Sequence, residues 1–285
     1  MPPLSPAQRA SNRPLVFAHR GGRALGPENT IPAFDAGLAA GADGLELDVH
    51  LSSDGEVVVC HDATLDRTTD ATGPIAARSA AELARINATL RFGVDLEHVW
   101  AGERGGIPTL RAVLGRYRDA PVIIEIKTGT PEAARAVVEV VRDVGAVDRV
   151  CVGSFSLIAV QAVRIFEPKI PTSGSRKEGQ LALYRSWLGL SPGRVAYRAF
   201  QVPEQAGRLR VVTPRFVRAV HRANVALQVW TVNEESDMRR LLGWGVDGII
   251  SDRPDVGVRV RDDERRVTSD ERRARNDADA TAHHR

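Results

Sequence analysis

Charged residues recur at alternate positions in two short apolar runs of this chain, and their acids have a spacing suited to holding a cation. In Gly44-Leu45-Glu46-Leu47-Asp48-Val49-His50, an extended strand puts Leu45, Leu47 and Val49 on one face and Glu46, Asp48 and His50 on the other. Val122-Ile123-Ile124-Glu125-Ile126-Lys127 repeats the pattern, with Ile123, Glu125 and Lys127 sharing a face. Carboxylates gathered at one strand end repel each other and need a compensating cation, and oxygen ligands of this kind suit Mg²⁺ or Ca²⁺. Glu125 is placed to complete such a site. Lys127 is one of only three lysines in an arginine-rich chain, which fits a position that wants an ammonium point charge. The plainer readings are solvated acids on an edge strand and a Glu125–Lys127 ion pair with no further role.

Two histidines stand near these runs. His19 follows Leu15-Val16-Phe17-Ala18 and precedes Arg20-Gly21-Gly22, a guanidinium fork beside glycines that let the backbone approach closely, which suits a phosphate. Ser53-Asp54-Gly55 signals a turn, so Glu56 to Asp62 doubles back as a hairpin. With Asp54-Gly55 as a two-residue turn, Ser53 opposes Glu56 and His61 falls opposite Asp48, on the same face; a three-residue turn shifts the pairing by one and separates them. Taken singly, either histidine is more often structural than catalytic.

The elements that must hold these side chains alternate. Leu15 to Ala18, Gly44 to Val49, Val122 to Ile126, Arg149 to Gly153, Ala226 to Trp230 and Gly248 to Ile250 read as strands, with weaker candidates at Lys169 to Thr172 and Tyr197 to Val202. Helical periodicity fills Thr30 to Ala40, Thr109 to Arg118, Pro131 to Val144, Ser156 to Phe166, Arg176 to Leu188, Thr213 to Ala223 and Glu234 to Trp244, with Thr30, Thr130 and Asn233 as N-caps. The repeat predicts an α/β fold, a (β/α)₈ TIM barrel over 14–254. Residues 1–13 read as an N-terminal extension. About 63–106 is too long for an ordinary connection and is expected to be an insertion after the second strand. The mixed-charge run over 255–285 reads as a disordered tail.

Composition narrows the classes. At 43% hydrophobic and 26% charged over 285 residues, the chain is globular, and Lys+Arg 39 against Asp+Glu 36 leaves a net +3, too little to mark a nucleic-acid partner. Cys60 and Cys151 each lie in apolar runs and read as buried thiols. No apolar stretch reaches the ~18 residues of a membrane span, and 1–14 lacks the core of a secretion signal, so a cytoplasmic protein is expected.

Taken in order, His19-Arg20-Gly21, Pro27-Glu28-Asn29-Thr30, Glu46-Leu47-Asp48-Val49, Asp54-Gly55, His61-Asp62, Ile107-Pro108-Thr109-Leu110, Glu125-Ile126-Lys127 and Gly245-Val246-Asp247-Gly248-Ile249-Ile250 resemble the glycerophosphodiester phosphodiesterase family over roughly Pro14 to Pro254. The resemblance implies a barrel that hydrolyses glycerophosphodiesters to glycerol 3-phosphate and an alcohol with one divalent cation. It makes Glu46, Asp48 and Glu125 metal ligands, His19 and His61 an acid/base pair, and Arg20 and Lys127 phosphate contacts. Glu28 and Asn29 become supports of the first loop, Trp230 a wall for glycerol, and the 63–106 insertion a lid. Ser251, where the family often has Thr, is a small departure.

Rival readings are a lysophospholipase D-like activity on the same centre, a Schiff-base aldolase using Lys127, and a non-catalytic phosphate-binding module using Arg20 and the glycines. Which histidine is acid, and whether water or a neighbouring glycerol hydroxyl attacks, is left open by the residues alone.

Overall fold

The computed structural model describes residues 13–90, 92 and 105–266. In chain order the strands and helices are β1 (Leu15–His19), α1 (Ile31–Ala39), β2 (Gly44–Leu51), β3 (Val57–Val59), α2 (Ala80–Leu83), α3 (Leu110–Arg116), β4 (Val122–Ile126), α4 (Pro131–Asp143), β5 (Val150–Gly153), α5 (Leu157–Phe166), α6 (Arg176–Trp187), β6 (Ala199–Pro203), β7 (Gln205–Ala206), β8 (Leu209–Arg210), α7 (Pro214–Arg222), β9 (Ala226–Trp230), α8 (Glu235–Gly243) and β10 (Gly248–Ser251). A further helix, α9, covers 254–266.

Seven parallel strands run in the order β5-β4-β2-β1-β10-β9-β6. The remaining gap is closed by single parallel bridges, Val152 to Thr172 and Ser173 to Ala199, so the weak Lys169 to Thr172 candidate marks the eighth strand position in reduced form. The fold is therefore the expected (β/α)₈ barrel. Helices start where short polar side chains accept an orphan N–H: Thr30 from Ala33, Thr130 from Ala133, Ser156 from Ala159 and Thr213 from Phe216. Outside the barrel wall one apolar cluster joins β2, β4 and β5 to α3, α4 and α5, and a second joins β6 and β9 to α6, α7 and α8. A β-carbon on Gly37 would run into the carbonyl of Gly21, so α1 lies against the glycine turn after β1 only because both positions lack side chains.

Three expectations change. The hairpin loop has three residues: Val57 pairs with Leu51 and Val59 with Val49, and the Cys60 N–H donates to the Asp48 carbonyl at 3.0 Å. Gly55, at φ +79°, takes the left-handed turn that shifts the register. His61 is thus not opposite Asp48. Asn233 does not cap α8; Glu234 stands at that position with no side-chain bond.

The third change is at the C-terminus, where 254–266 is helical rather than tail. Val260 is fully buried in the second apolar cluster, and Arg261, 2% exposed, pairs with Asp43. Residues 267–285 and 1–12 lie outside the described residues. The described part of 63–106 forms its own small core with β3, where Leu65, Ile75 and Leu83 are buried against Val58. No helix among the described residues is long and apolar enough to cross a membrane.

Candidate active site

Strand register assembles the acids. His19 on β1 neighbours Glu46 on β2, and Asp48 neighbours Glu125 on β4. Each of Glu46, Asp48 and Glu125 offers an oxygen within 4.8 Å of the others. Lys127 Nζ lies 2.8 Å from Asp48 and 3.0 Å from Glu125, and Arg20 Nε lies 3.3 Å from Asp48. One buried oxygen of the cluster, Glu125 Oε1, has no hydrogen-bond partner. Burial, then the charge of Asp48, pushes Glu46 up to about 7, and burial also raises Glu125. Three convergent carboxylates, one with an orphaned oxygen, fit a hard divalent cation.

The first loop braces this cluster. Arg20 (φ 50°) and Asn29 (φ 59°) both take left-handed backbone, which orients the Arg20 N–H to donate to Glu46 at 3.1 Å and the Asn29 amide to donate to Asp48 at 3.0 Å. Glu28 accepts from Arg20 at 3.0 Å and bidentately from Arg67 at 2.7 and 2.8 Å. Burial acts to raise Glu28, but the Arg67 and Arg20 guanidiniums outweigh it and hold the carboxyl at about 2.

Each histidine has an aspartate on Nδ1. His19 meets Asp252 at 2.6 Å, and the Asn233 amide donates to the same Asp252 at 2.9 Å. His61 meets Asp62 at 2.6 Å, and Arg67 Nε donates to Asp62 at 2.6 Å. His61 reaches the mouth because the chain leaves the ladder after Cys60. His50, read from sequence as part of the acid face, instead donates from Nε2 to the His61 carbonyl at 3.0 Å. The two imidazoles differ electrostatically. Burial alone would lower His19, but the Asp252 hydrogen bond and the Glu46 charge leave it raised; for His61 burial prevails over Asp62 and leaves it lowered. Asp252, Asn233, Asp62 and Arg67 are the site residues that sequence reasoning did not single out.

Seven charged or imidazole groups of the site, His19, Arg20, Glu46, Asp48, His61, Glu125 and Lys127, line one cavity of about 680 Å³, with Trp230 on its wall. Glu28 and Asn29 sit behind the lining. Among the described residues, none of 63–106 lines the cavity; that segment reaches the site through Arg67.

Known proteins resemble this chain in sequence and fold. A glycerophosphodiester phosphodiesterase of Caldanaerobacter subterraneus subsp. tengcongensis is 34% identical over 251 residues, 86% of this chain and 97% of that protein. The crystal structure of a glycerophosphodiester phosphodiesterase from Agrobacterium tumefaciens superposes with a TM-score of 0.69 at 29% identity, covering 86% of this chain and 98% of the other. An Oleispira antarctica phosphodiesterase, solved in complex with the product sn-glycerol-3-phosphate, gives a TM-score of 0.71 at 26% identity over 89% and 98%. With the model of the glycerophosphoryl diester phosphodiesterase family matching residues 19–256, almost the entire barrel and every member of the acid and histidine cluster, the chain belongs to that family.

Proposed function

We propose that the chain hydrolyses glycerophosphodiesters to glycerol 3-phosphate and an alcohol, with Glu46, Asp48 and Glu125 holding one divalent cation, Mg²⁺ or Ca²⁺. The observation that carries this reading is the pairing of an acid cluster with two imidazoles biased to opposite protonation states. Bound there, the cation would neutralise charge on the phosphoryl oxygens. Arg20 and Lys127 bind the same oxygens. His61, lowered and therefore neutral, accepts the proton of the attacking water or glycerol hydroxyl through Nε2. His19, raised and so biased towards the imidazolium, donates from Nε2 to the departing alcohol oxygen. The phosphorus–oxygen bond to the alcohol breaks, and the oxygen of water joins phosphorus directly or by opening a cyclic phosphate. Asp62 and Asp252 hold each ring so that Nε2 faces the cavity.

The Schiff-base alternative finds no support: burial acts to lower Lys127, but Asp48 and Glu125 outweigh it and keep the ammonium charged, the wrong state for a nucleophile. The test is release of phosphomonoester from glycerophosphocholine with and without EDTA. Turnover abolished by the chelator and restored by Mg²⁺ or Ca²⁺ supports the reading; chelator-insensitive turnover rejects the metal, and no turnover of any glycerophosphodiester rejects the function.

A further inference from the structure

Large apolar and aromatic side chains left in solvent are concentrated in one stretch of the chain. Of the ten that stand exposed among the described residues, nine lie between Phe155 and Leu209. Their densest run is on α6 and its exit. Leu181, Tyr184 and Leu188, spaced three and four apart, follow the face of α6 opposite the buried Ala182, Leu183 and Ser186. Trp187 packs edge-on against Tyr184 with ring centroids 5.2 Å apart, and Leu190 carries the ridge past Gly189. Leu188 is 75% exposed, the opposite of what a helix end packed on a core would show. Positive charge collects in the same stretch. Residues 154–222 hold twelve Lys and Arg against three acids, whereas the rest of the chain holds 27 against 33. The three acids, Glu167, Glu178 and Glu204, pair with Arg142, Arg164 and Arg240, so among the described residues Arg164 is the one member of the twelve in an ion pair. Around the ridge the guanidiniums bond to uncharged carbonyls instead: Arg185 to Ser191 at 2.8 Å, Arg215 to Trp187 at 2.6 Å and Arg222 to Gly189 at 2.8 Å.

We propose that the outer face of α6, continued by Leu188 and Leu190, docks the protein on the surface of a bilayer that carries anionic phospholipids. This goes beyond the hydrolysis and does not depend on it. The occupant follows from charge complementarity joined to apolar exposure. Leucines beside a Tyr and a Trp are the side chains that enter the boundary between head groups and acyl chains, and basic groups around them meet the lipid phosphates. Lys177, exposed and four residues before Leu181, adds an ammonium to the same face of the helix. Each such cation near an anionic surface strengthens binding by about fivefold. Other occupants satisfy half of the surface. A two-fold contact between copies of the chain sets a patch against itself, which would bring Arg185, Arg215 and Arg222 against their own kind. A nucleic acid would meet the guanidiniums and leave Leu181, Leu188 and Leu190 in water.

The experiment is co-sedimentation of the full chain with phosphatidylcholine vesicles, with and without phosphatidylglycerol. Binding is expected to the mixed vesicles, weakened by added salt, and little to phosphatidylcholine alone. The double variant Leu181→Ser/Leu188→Ser should lose about tenfold or more in affinity, and Lys177→Gln/Arg222→Gln roughly tenfold. All four positions are exposed, and an unchanged melting temperature confirms that each variant folds. Leu90→Ser, an exposed leucine outside the stretch, should bind like the parent chain. Absence of binding to the mixed vesicles would overturn the proposal. So would mixed-vesicle binding unaltered in Leu181→Ser/Leu188→Ser, because charge alone would then account for it. A dimer in sedimentation that dissociates in that same variant would hand the ridge to a second copy of the chain. None of these measurements reads turnover, so their failure leaves the hydrolysis standing, and a failed hydrolysis leaves them intact.

Discussion

Acids occupy both ends of the barrel, and they are treated differently. At the end opposite the cavity, Asp43 accepts from the Val16 N–H at 2.8 Å and pairs with Arg13 and the buried Arg261, while Asp247 accepts from the Leu227 N–H at 2.7 Å and from His221 at 2.8 Å. Each stitches neighbouring parts of the wall, and neither has a buried oxygen without a hydrogen-bond partner. At the mouth, Glu46, Asp48 and Glu125 crowd one another, Glu46 is pushed up to about 7, and Glu125 Oε1 has no hydrogen-bond partner. Acids that hold the fold are satisfied within it, whereas acids at the mouth keep capacity for something the chain does not contain.

The largest effect should come from breaking the mouth. Glu46→Ala, Asp48→Ala and Glu125→Ala are each expected to lower kcat by ~10³-fold or more. Glu46→Ala should leave the melting temperature unchanged or raised, because removing one of three crowded carboxylates relieves repulsion, whereas Asp48→Ala should lower it, because Lys127, Arg20 and Asn29 lose a buried partner. Titration of Mg²⁺ and Ca²⁺ by calorimetry provides the check independent of turnover: unchanged affinity in all three variants would reject the site.

The histidines come next. His19→Ala and His61→Ala should each cost ~10²-fold or more in turnover. The pH profile of kcat/KM should be bell-shaped with a definite assignment. Its acid limb is the protonation of His61, which is lowered, and its alkaline limb the deprotonation of His19, which is raised. Asp252→Asn should move the alkaline limb to lower pH, since the carboxylate helps hold His19 protonated; Asp62→Asn should move the acid limb in the same direction. An alkaline limb unmoved in Asp252→Asn would sever His19 from the acid role.

How legible this was depends on sequence distance. Glu46, Asp48, Glu125 and Lys127 could be read because strand alternation is local, and Thr30 and Thr130 because a cap needs only the next three residues. Asp252 was invisible as a partner of His19, 233 residues away, and Asn233 looked like a cap because an Asn before two acids is a common helix start. The hairpin register turned on one residue, Gly55, whose left-handed backbone no composition rule could place in a two- or three-residue loop. In α9, the apolar spacing of Val256 and Val260, four apart, was hidden among arginines and aspartates.

Breaking the opposite end should give the reverse signature, stability lost and chemistry kept. A chain ending at Pro254 loses Val260, worth about 1.5–3 kcal/mol of burial, and the Arg261 partner of Asp43. Relative to a chain ending at Arg266, its melting temperature should fall by roughly 4–10 °C with kcat per folded molecule unaltered. A matching loss of kcat in the folded fraction would show that the two ends are coupled and that the contrast between them is false.

The smallest effect expected is discrimination among leaving alcohols. Strong rejection of a wrong group requires buried polar partners that it leaves unpaired. At this mouth the buried polar side chains are engaged: Gln201 with Gln228, Ser175 with Glu178, and Asn29, Asp252 and Asn233 in bracing the acids and His19. What remains, Arg20 and Lys127 beside the acid cluster, converges on phosphate. Glycerophosphocholine, glycerophosphoethanolamine and similar deacylated diesters should therefore fall within about tenfold of one another in kcat/KM, roughly 1.4 kcal/mol, in competing-substrate assays. A simple phosphodiester lacking glycerol should be much poorer, because it forfeits the Trp230 wall. Selectivity well beyond tenfold for one head group would mean that the mouth carries a matched polar pocket after all, and that its unsatisfied groups serve recognition as well as catalysis.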